Sequence, residues 1–235
     1  MSDVKIPSME ELLEAGVHFG HTTSRWHPKM EKFLYGKKAG IHLIDLEKTQ
    51  KEIKKVVGFI KGNITPTKPL LFIGVKPVAR AVVKAEADRC ESPYVVNRWI
   101  GGMLTNWPAI QGMIKRMKQL ESDKASGKLE KYTKYEQLEF VEEYNKLENG
   151  IGGIRDLTGK PGAVFIIDAK HDKTALNEAV KLNIPVISIA DSNINPGKVT
   201  YPIPANDDAL KSISLITKVI ADAVLGTKVN LKEDK

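Results

Sequence analysis

Residues 70–80 read Leu70-Leu71-Phe72-Ile73-Gly74-Val75-Lys76-Pro77-Val78-Ala79-Arg80. A strand with one wet face carries a polar residue at every second position, and the run from Leu70 to Val75 carries none. It therefore reads as a strand buried on both faces, and it leads directly into a helix-like stretch from Pro77 to Cys90. The same sentence is written elsewhere in the chain. Ile41-His42-Leu43-Ile44 leads into Leu46 to Lys61, Tyr94-Val95-Val96 follows Cys90, Ala163-Val164-Phe165-Ile166-Ile167 precedes Thr174 to Leu182, and Pro185-Val186-Ile187-Ser188-Ile189-Ala190 comes next. Doubly buried strands spaced by helices and joined by right-handed crossovers predict a doubly wound, three-layer α/β sandwich, Rossmann-like or flavodoxin-like, with a mainly parallel sheet. A last helix from about Asp207 to Leu225 would close it.

The pattern changes between the third and fourth strands. Ile110, Met113, Met117 and Leu120 recur at spacings of 3, 4 and 3, and Phe140, Tyr144, Leu147 and Ile151 recur at 4, 3 and 4. Heptad-like spacing on two segments joined by a polar loop predicts an inserted antiparallel coiled-coil hairpin, with a protein partner for the stripe residues up to Leu147. Two ordinary helices packed on the sheet are the plainer alternative. The expected organisation is a discontinuous sandwich over 1–104 and 152–226, a hairpin over 105–151 and a solvated tail over 227–235.

The chain has 235 residues, is 42% hydrophobic and carries a net charge of +7. That is enough for one core plus a small appendage. The lone Cys90 excludes an internal disulfide and a cysteine-rich zinc site, and reads as a buried apolar group. No targeting or membrane-spanning segment is expected. Residues 1–104 carry 17 basic against 11 acidic groups, whereas the rest carry 19 against 18. Within 25–38, Arg25, Lys29, Lys32, Lys37 and Lys38 face only Glu31, beside Trp26, Phe33 and Tyr35. Cations interleaved with aromatics suit nucleic acid, where phosphates meet the cations and rings stack.

Enzymatic signatures are missing. The turn after Val75 has one glycine and a proline that removes an N–H, so it does not cradle a pyrophosphate. There is no G-x-S-x-G, no H-E-x-x-H and no coupled carboxylate pair. Asp168, Asp191, Asp207 and Asp208 do fall at strand ends or a helix start. His18, Asp191 and Asp207 or Asp208 could converge on a structural divalent cation or form a buried polar network; no other cofactor is expected. Asp207 or Asp208 also suits a helix N-terminus. His18 and His21 share a face only if their segment is helical. In Arg98-Trp99-Ile100-Gly101-Gly102-Met103-Leu104-Thr105-Asn106-Trp107 the tryptophans read as packing anchors and Thr105 or Asn106 as a helix cap. Arg98 can reach a phosphate.

The sequence resembles the small-subunit ribosomal protein S2 family in its bacterial form. The resemblance rests on Leu12 to His21, Trp26-His27-Pro28-Lys29-Met30, Ile41 to Thr49, Arg98 to Trp107, Lys146-Leu147-Glu148 running into Gly152-Gly153-Ile154, and Ile184-Pro185-Val186 to Ile203-Pro204-Ala205-Asn206-Asp207-Asp208. It implies a non-catalytic constituent of the small subunit, cytoplasmic, placed between head and body, contacting 16S ribosomal RNA and neighbouring ribosomal proteins and added late in assembly. It further implies help in docking the large OB-repeat ribosomal protein that draws in messenger RNA. No membrane and no small-molecule substrate are expected. Ser192 stands where the family usually has threonine, Ala205 where it has glycine, and the stretch after Leu225 is short.

RNA contacts are accordingly expected of Arg25, Lys29, Lys32, Lys37, Lys38 and Arg98, with Trp26 and His27 at or just behind that surface. The contending class is a sugar- or nucleotide-processing α/β enzyme with a site around Asp168 and Asp191. A helical-hairpin adaptor between proteins is compatible with the first reading.

Overall fold

The computed structural model of the chain describes residues 4–233. Helix α1 (Met9–Glu14) is followed by three short strands, β1 (Phe19–Thr22), β2 (Leu34–Lys38) and β3 (Ile41–Ile44), and by helix α2 (Leu46–Asn63). A strand–helix series comes next: β4 (Leu70–Ile73), α3 (Arg80–Arg89), β5 (Tyr94–Val95), the helix pair α4 (Trp107–Ala125) and α5 (Lys134–Ile151), β6 (Ala163–Ile166), α6 (Lys173–Lys181), β7 (Val186–Ala190), β8 (Tyr201–Pro204) and α7 (Leu210–Glu233).

Strands β4 to β8 form one sheet in the order β5-β4-β6-β7-β8. Every neighbouring pair is parallel, with Leu70 opposite Ala163 and Ile73 opposite Ile166 at the centre. All residues of β4, β6 and β7 are buried, as their apolar runs, interrupted only by Ser188, require. Successive side chains point to opposite faces and feed two cores. Leu70, Phe72, Phe165 and Ile187 pack with α2, α3 and α7, whereas Leu71, Ile73, Val164, Ile166 and Val186 pack with α4 and α6. This is the three-layer sandwich that the runs predict. Cys90 lies in the first core, where burial pushes its thiol pKa up.

Three expectations need correction. Ile41–Ile44 does not join the parallel sheet; β3 is the centre of a separate antiparallel sheet in the order β1-β3-β2. Its His42 already breaks the apolar run, and only Ile44 of the strand is fully buried. The fifth parallel strand is β8, whose Pro202 and Pro204 disguise it; an edge strand tolerates them because one side needs no ladder hydrogen bond. The last helix begins at Leu210 and runs through Glu233, so most of the expected tail is helical, and Asp234 and Lys235 lie outside the described residues. Asp207 and Asp208 precede that helix, and the Asn206 side chain accepts the N–H groups of Asp208 at 2.8 Å and Ala209 at 3.0 Å.

Helices α4 and α5 run antiparallel: Ile110 and Ile151 share the second core at the root, and Arg116 meets Glu143 at 2.7 Å further out. A capping box formed by Thr133 and Glu136 starts α5. On α4 the buried stripe is Ile110, Ile114, Met117 and Leu120, with Met113 half-buried. Ile114 widens the stripe beyond a two-residue heptad seam, because this helix packs on the sheet as well as on its neighbour.

Candidate nucleic-acid interface

In a parallel sheet whose order reverses, as here between β4 and β6, the crevice beyond the C-terminal strand ends is the usual ligand site. In this chain it is occupied by side chains. Lys76, just after β4, places its Nζ 2.6 Å from Asp208, 2.9 Å from Asp207 and 3.3 Å from Asp168. His21 descends from β1 onto the other side of the cluster. Its main-chain N–H donates to Asp191 at 3.2 Å and to the Ser192 hydroxyl at 2.9 Å, and its Nδ1 lies 3.0 Å from the other Asp191 oxygen. Its Nε2 lies 2.9 Å from the Asn193 amide and 3.5 Å from Asp208.

These contacts set the protonation states. The Asp191 hydrogen bond, aided by the Asp207 and Asp208 charges, holds the His21 pKa above its ordinary value. Burial, together with the Asp168 and Asp191 charges, pushes Asp207 up to about 7 even though Lys76 pulls it down. Lys76, facing three carboxylates, keeps its proton more tightly than a free lysine. Asn193 Oδ1 is buried without a partner, and turning the amide over would let it accept from a protonated His21 Nε2.

His21, Asp191, Asp207 and Asp208 each bring a possible ligand atom within 4.8 Å of the others. The expected set contained His18 in place of His21, and that membership is wrong. Residues three apart share a face in a helix, but His18 lies in the turn before β1 and His21 within the strand, so that spacing does not bring them together. His18 stacks on Phe19 at 3.9 Å, its Nδ1 is buried without a partner, and burial lowers its pKa.

The basic segment is firmly seated. Met30 and Phe33 are buried in the second core, and the His27 N–H donates to the Ser192 carbonyl at 2.7 Å. His27 Nδ1 accepts the Lys29 N–H at 3.2 Å and so starts the short 3-10 helix Pro28–Phe33. Thr23 N–H reaches the Gly40 carbonyl at 3.0 Å, which brings Arg25 beside the β2–β3 turn. That turn, Ala39-Gly40, has both φ angles positive, 50° and 76°, so a two-residue hairpin follows Lys37 and Lys38. Arg25, Lys29, Lys32, Lys37 and Lys38 are all exposed, and Trp26 lies half-buried over His42 at 5.0 Å. Lys32 sits over the Phe33 ring at 4.9 Å.

Arg98 is exposed but stands apart from that segment, in the loop after β5. The stretch behind it is fixed by a residue that sequence reasoning missed. Glu178 of α6, buried, accepts from Trp99 Nε1 and from the N–H groups of Gly102, Leu104 and Thr105 at 2.8 to 3.0 Å, and also from the Thr105 hydroxyl at 3.0 Å. Burial would raise the Glu178 pKa, yet these bonds to the charged form hold it below its ordinary value. Thr105 is thereby committed to Glu178, and Asn106 precedes α4 without a side-chain capping bond.

Residues 12–227 match the family model described as Ribosomal protein S2. The chain belongs to the ribosomal protein S2 family. The small ribosomal subunit protein uS2 of Marinobacter nauticus is 45% identical over 218 residues, covering 93% of this chain and 87% of that protein. Members of the S2 family are structural proteins of the small ribosomal subunit and not enzymes; their place is in translation, in the cytoplasm. Asp168 and Asp191, around which an enzyme was the contending reading, are engaged by Lys76 and His21. No described helix is long and apolar enough to cross a membrane.

Proposed function

We propose that this S2-family chain binds 16S ribosomal RNA through Arg25, Lys29, Lys32, Lys37 and Lys38, with Trp26 and His27 behind them and Arg98 as an outlying contact. The supporting observation is that these six cations are exposed and, among the described residues, none forms an ion pair. Exposed cations with no acid to satisfy them, mounted on a segment pinned by buried Met30 and Phe33, are pre-positioned for phosphates. Base reading plays little part, because folded RNA helices hide their base edges. The seat of the chain is between head and body of the subunit. Replacing Arg25, Lys29 and Lys32 together by glutamate tests the reading: occupancy of small subunits drops at an unchanged melting temperature, and full occupancy would defeat it.

A protein partner engages the helix pair, with neighbouring ribosomal proteins and the OB-repeat messenger-binding protein as occupants. Support comes from α5, where Tyr135, Leu138 and Val141 are exposed while Phe140, Tyr144 and Leu147 turn inward. Leu138→Glu with Val141→Glu should release the partner from isolated subunits without displacing this chain; retention of the partner sinks the assignment.

A further inference from the structure

The C-terminal edge of the parallel sheet is divided. Its β7–β8 half is capped by the small sheet through His21, which among the described residues makes no contact with the loops of the β5–β4–β6 half. Three loops meet on the uncapped half and are joined by their own hydrogen bonds. Gly74 N–H donates to the Val95 carbonyl and Ile167 N–H to the Ile73 carbonyl, both at 3.0 Å, and Val75 N–H reaches Asp172 at 3.4 Å. The Arg80 guanidinium donates to the Val75 carbonyl at 3.0 Å and to the Asn97 carbonyl at 3.5 Å.

Charge is sorted by depth on this edge. Asp168 and Asp172 are buried and engaged: Asp168 accepts the N–H groups of Lys170 and His171 at 2.9 Å and faces Lys76, and Asp172 lies 2.9 Å from the His171 ring. The exposed charged groups from Gly74 to Arg80, Val96 to Arg98 and Asp168 to Lys173 are Arg80, Arg98, Lys170 and Lys173, with His171 beside them. No acidic group is exposed in these three segments. Arg80 and Lys173 are the first residues of α3 and α6, where the helix dipole disfavours a cation, and neither helix has an acid in its first turn. Arg80 is also used within the fold, through its bonds to Val75 and Asn97, whereas Lys170 and Lys173 form no ion pair among the described residues, and an external anion accounts for these two lysines better than internal stability does.

We infer that this uncapped edge is a second contact for the RNA phosphate backbone, separate from the 25–38 face, made by Arg80, Lys170 and Lys173 with Arg98. The inference rests on the RNA-binding reading above and extends it to Arg80, Lys170 and Lys173, which that reading does not use; Arg98 is common to both. A mononucleotide fits less well, because the loop after β4 has a single glycine and Pro77 offers no N–H.

Lys170 and Lys173 are the residues to test, since their side chains are exposed and, among the described residues, in no ion pair. Small subunits depleted of this protein are titrated with the full chain at several salt concentrations. Lys170→Ala with Lys173→Ala should lower the slope of log affinity against log salt by about two, roughly one per phosphate contact, with an unchanged melting temperature. A face variant, Arg25→Ala with Lys29→Ala and Lys32→Ala, is measured alongside. A weakened face variant beside a wild-type edge variant overturns the inference and leaves the proposed function standing. A weakened edge variant beside a wild-type face variant overturns the proposed face and supports the edge. Millimolar ATP binding that disappears with the same two lysines would overturn backbone phosphate as the ligand.

Discussion

His21 on β1 and Asp191 at the end of β7 stand 3.0 Å apart and are separated by 170 residues of chain. Around this pair the cluster holds more acid than base, with Asp168, Asp191, Asp207 and Asp208 set against Lys76 and His21. The stability of the small sheet on the large one is therefore tied to protons.

His21 and Asp207 both hold a proton more tightly in the folded chain than in the unfolded one. A raised folded pKa gives stability that is complete below the unfolded value and is lost as pH rises through the folded one. For Asp207 that loss runs from its ordinary 3.8 to about 7, and for His21 it begins near 6.5 and continues upward. The melting temperature is expected to fall between about pH 6 and pH 8, and Asp207→Asn to flatten the fall. Calorimetry across that interval checks it; a rising melting temperature contradicts the assignment.

Replacing Lys76 by methionine leaves the carboxylates around it uncompensated. The expected cost is about 3 kcal/mol or more, measured by denaturant unfolding. Adding Asp207→Asn removes one of the stranded charges and should recover part of the loss, whereas additive losses would show that the two side chains are not coupled.

Truncating Glu178 to alanine strands the donors on Trp99, Gly102, Leu104 and Thr105. A loss of about 3 kcal/mol follows if even two of these groups go unsatisfied. Amide hydrogen exchange should accelerate at Gly102, Leu104 and Thr105 and remain slow in β4 and β6.

A methyl group at Gly153 would run into the Tyr94 carbonyl and lie 2.7 Å from the Tyr94 ring. Gly153→Ala should cost about 1 to 3 kcal/mol by overpacking. Gly159→Ala, at a position with open space, serves as the neutral control.

The runs at Leu70–Ile73, Ala163–Ile166 and Val186–Ala190 were legible because a doubly buried strand shows no polar alternation, the one hydroxyl among them being that of Ser188. Ile41–Ile44 misled because its apolar character reflects half-burial in a small sheet, and β8 hid behind two prolines that only an edge permits. The exposed cations of 25–38 were legible as a local excess of charge. His18 was mistaken for His21 because periodicity, and not composition, decides which of two nearby histidines faces inward. Lys76 and Glu178 were invisible because their partners come from remote segments; the one usable signal was a lone lysine directly after a buried strand.

The long separation between His21 and Asp191 has a consequence for synthesis. β1 and β3 are made early, but the residues that seat them, Asp191 to Asp208, are translated near the end. Until then β1 lacks the Asp191 and Asp208 carboxylates that hold His21, although Met30 and Phe33 can already meet Leu71 and Ile73 of β4. Closing so long a loop carries an entropic penalty that only the finished sheet can offset. The polar seat of β1 is thus completed only when β7, β8 and the loop after each have been made.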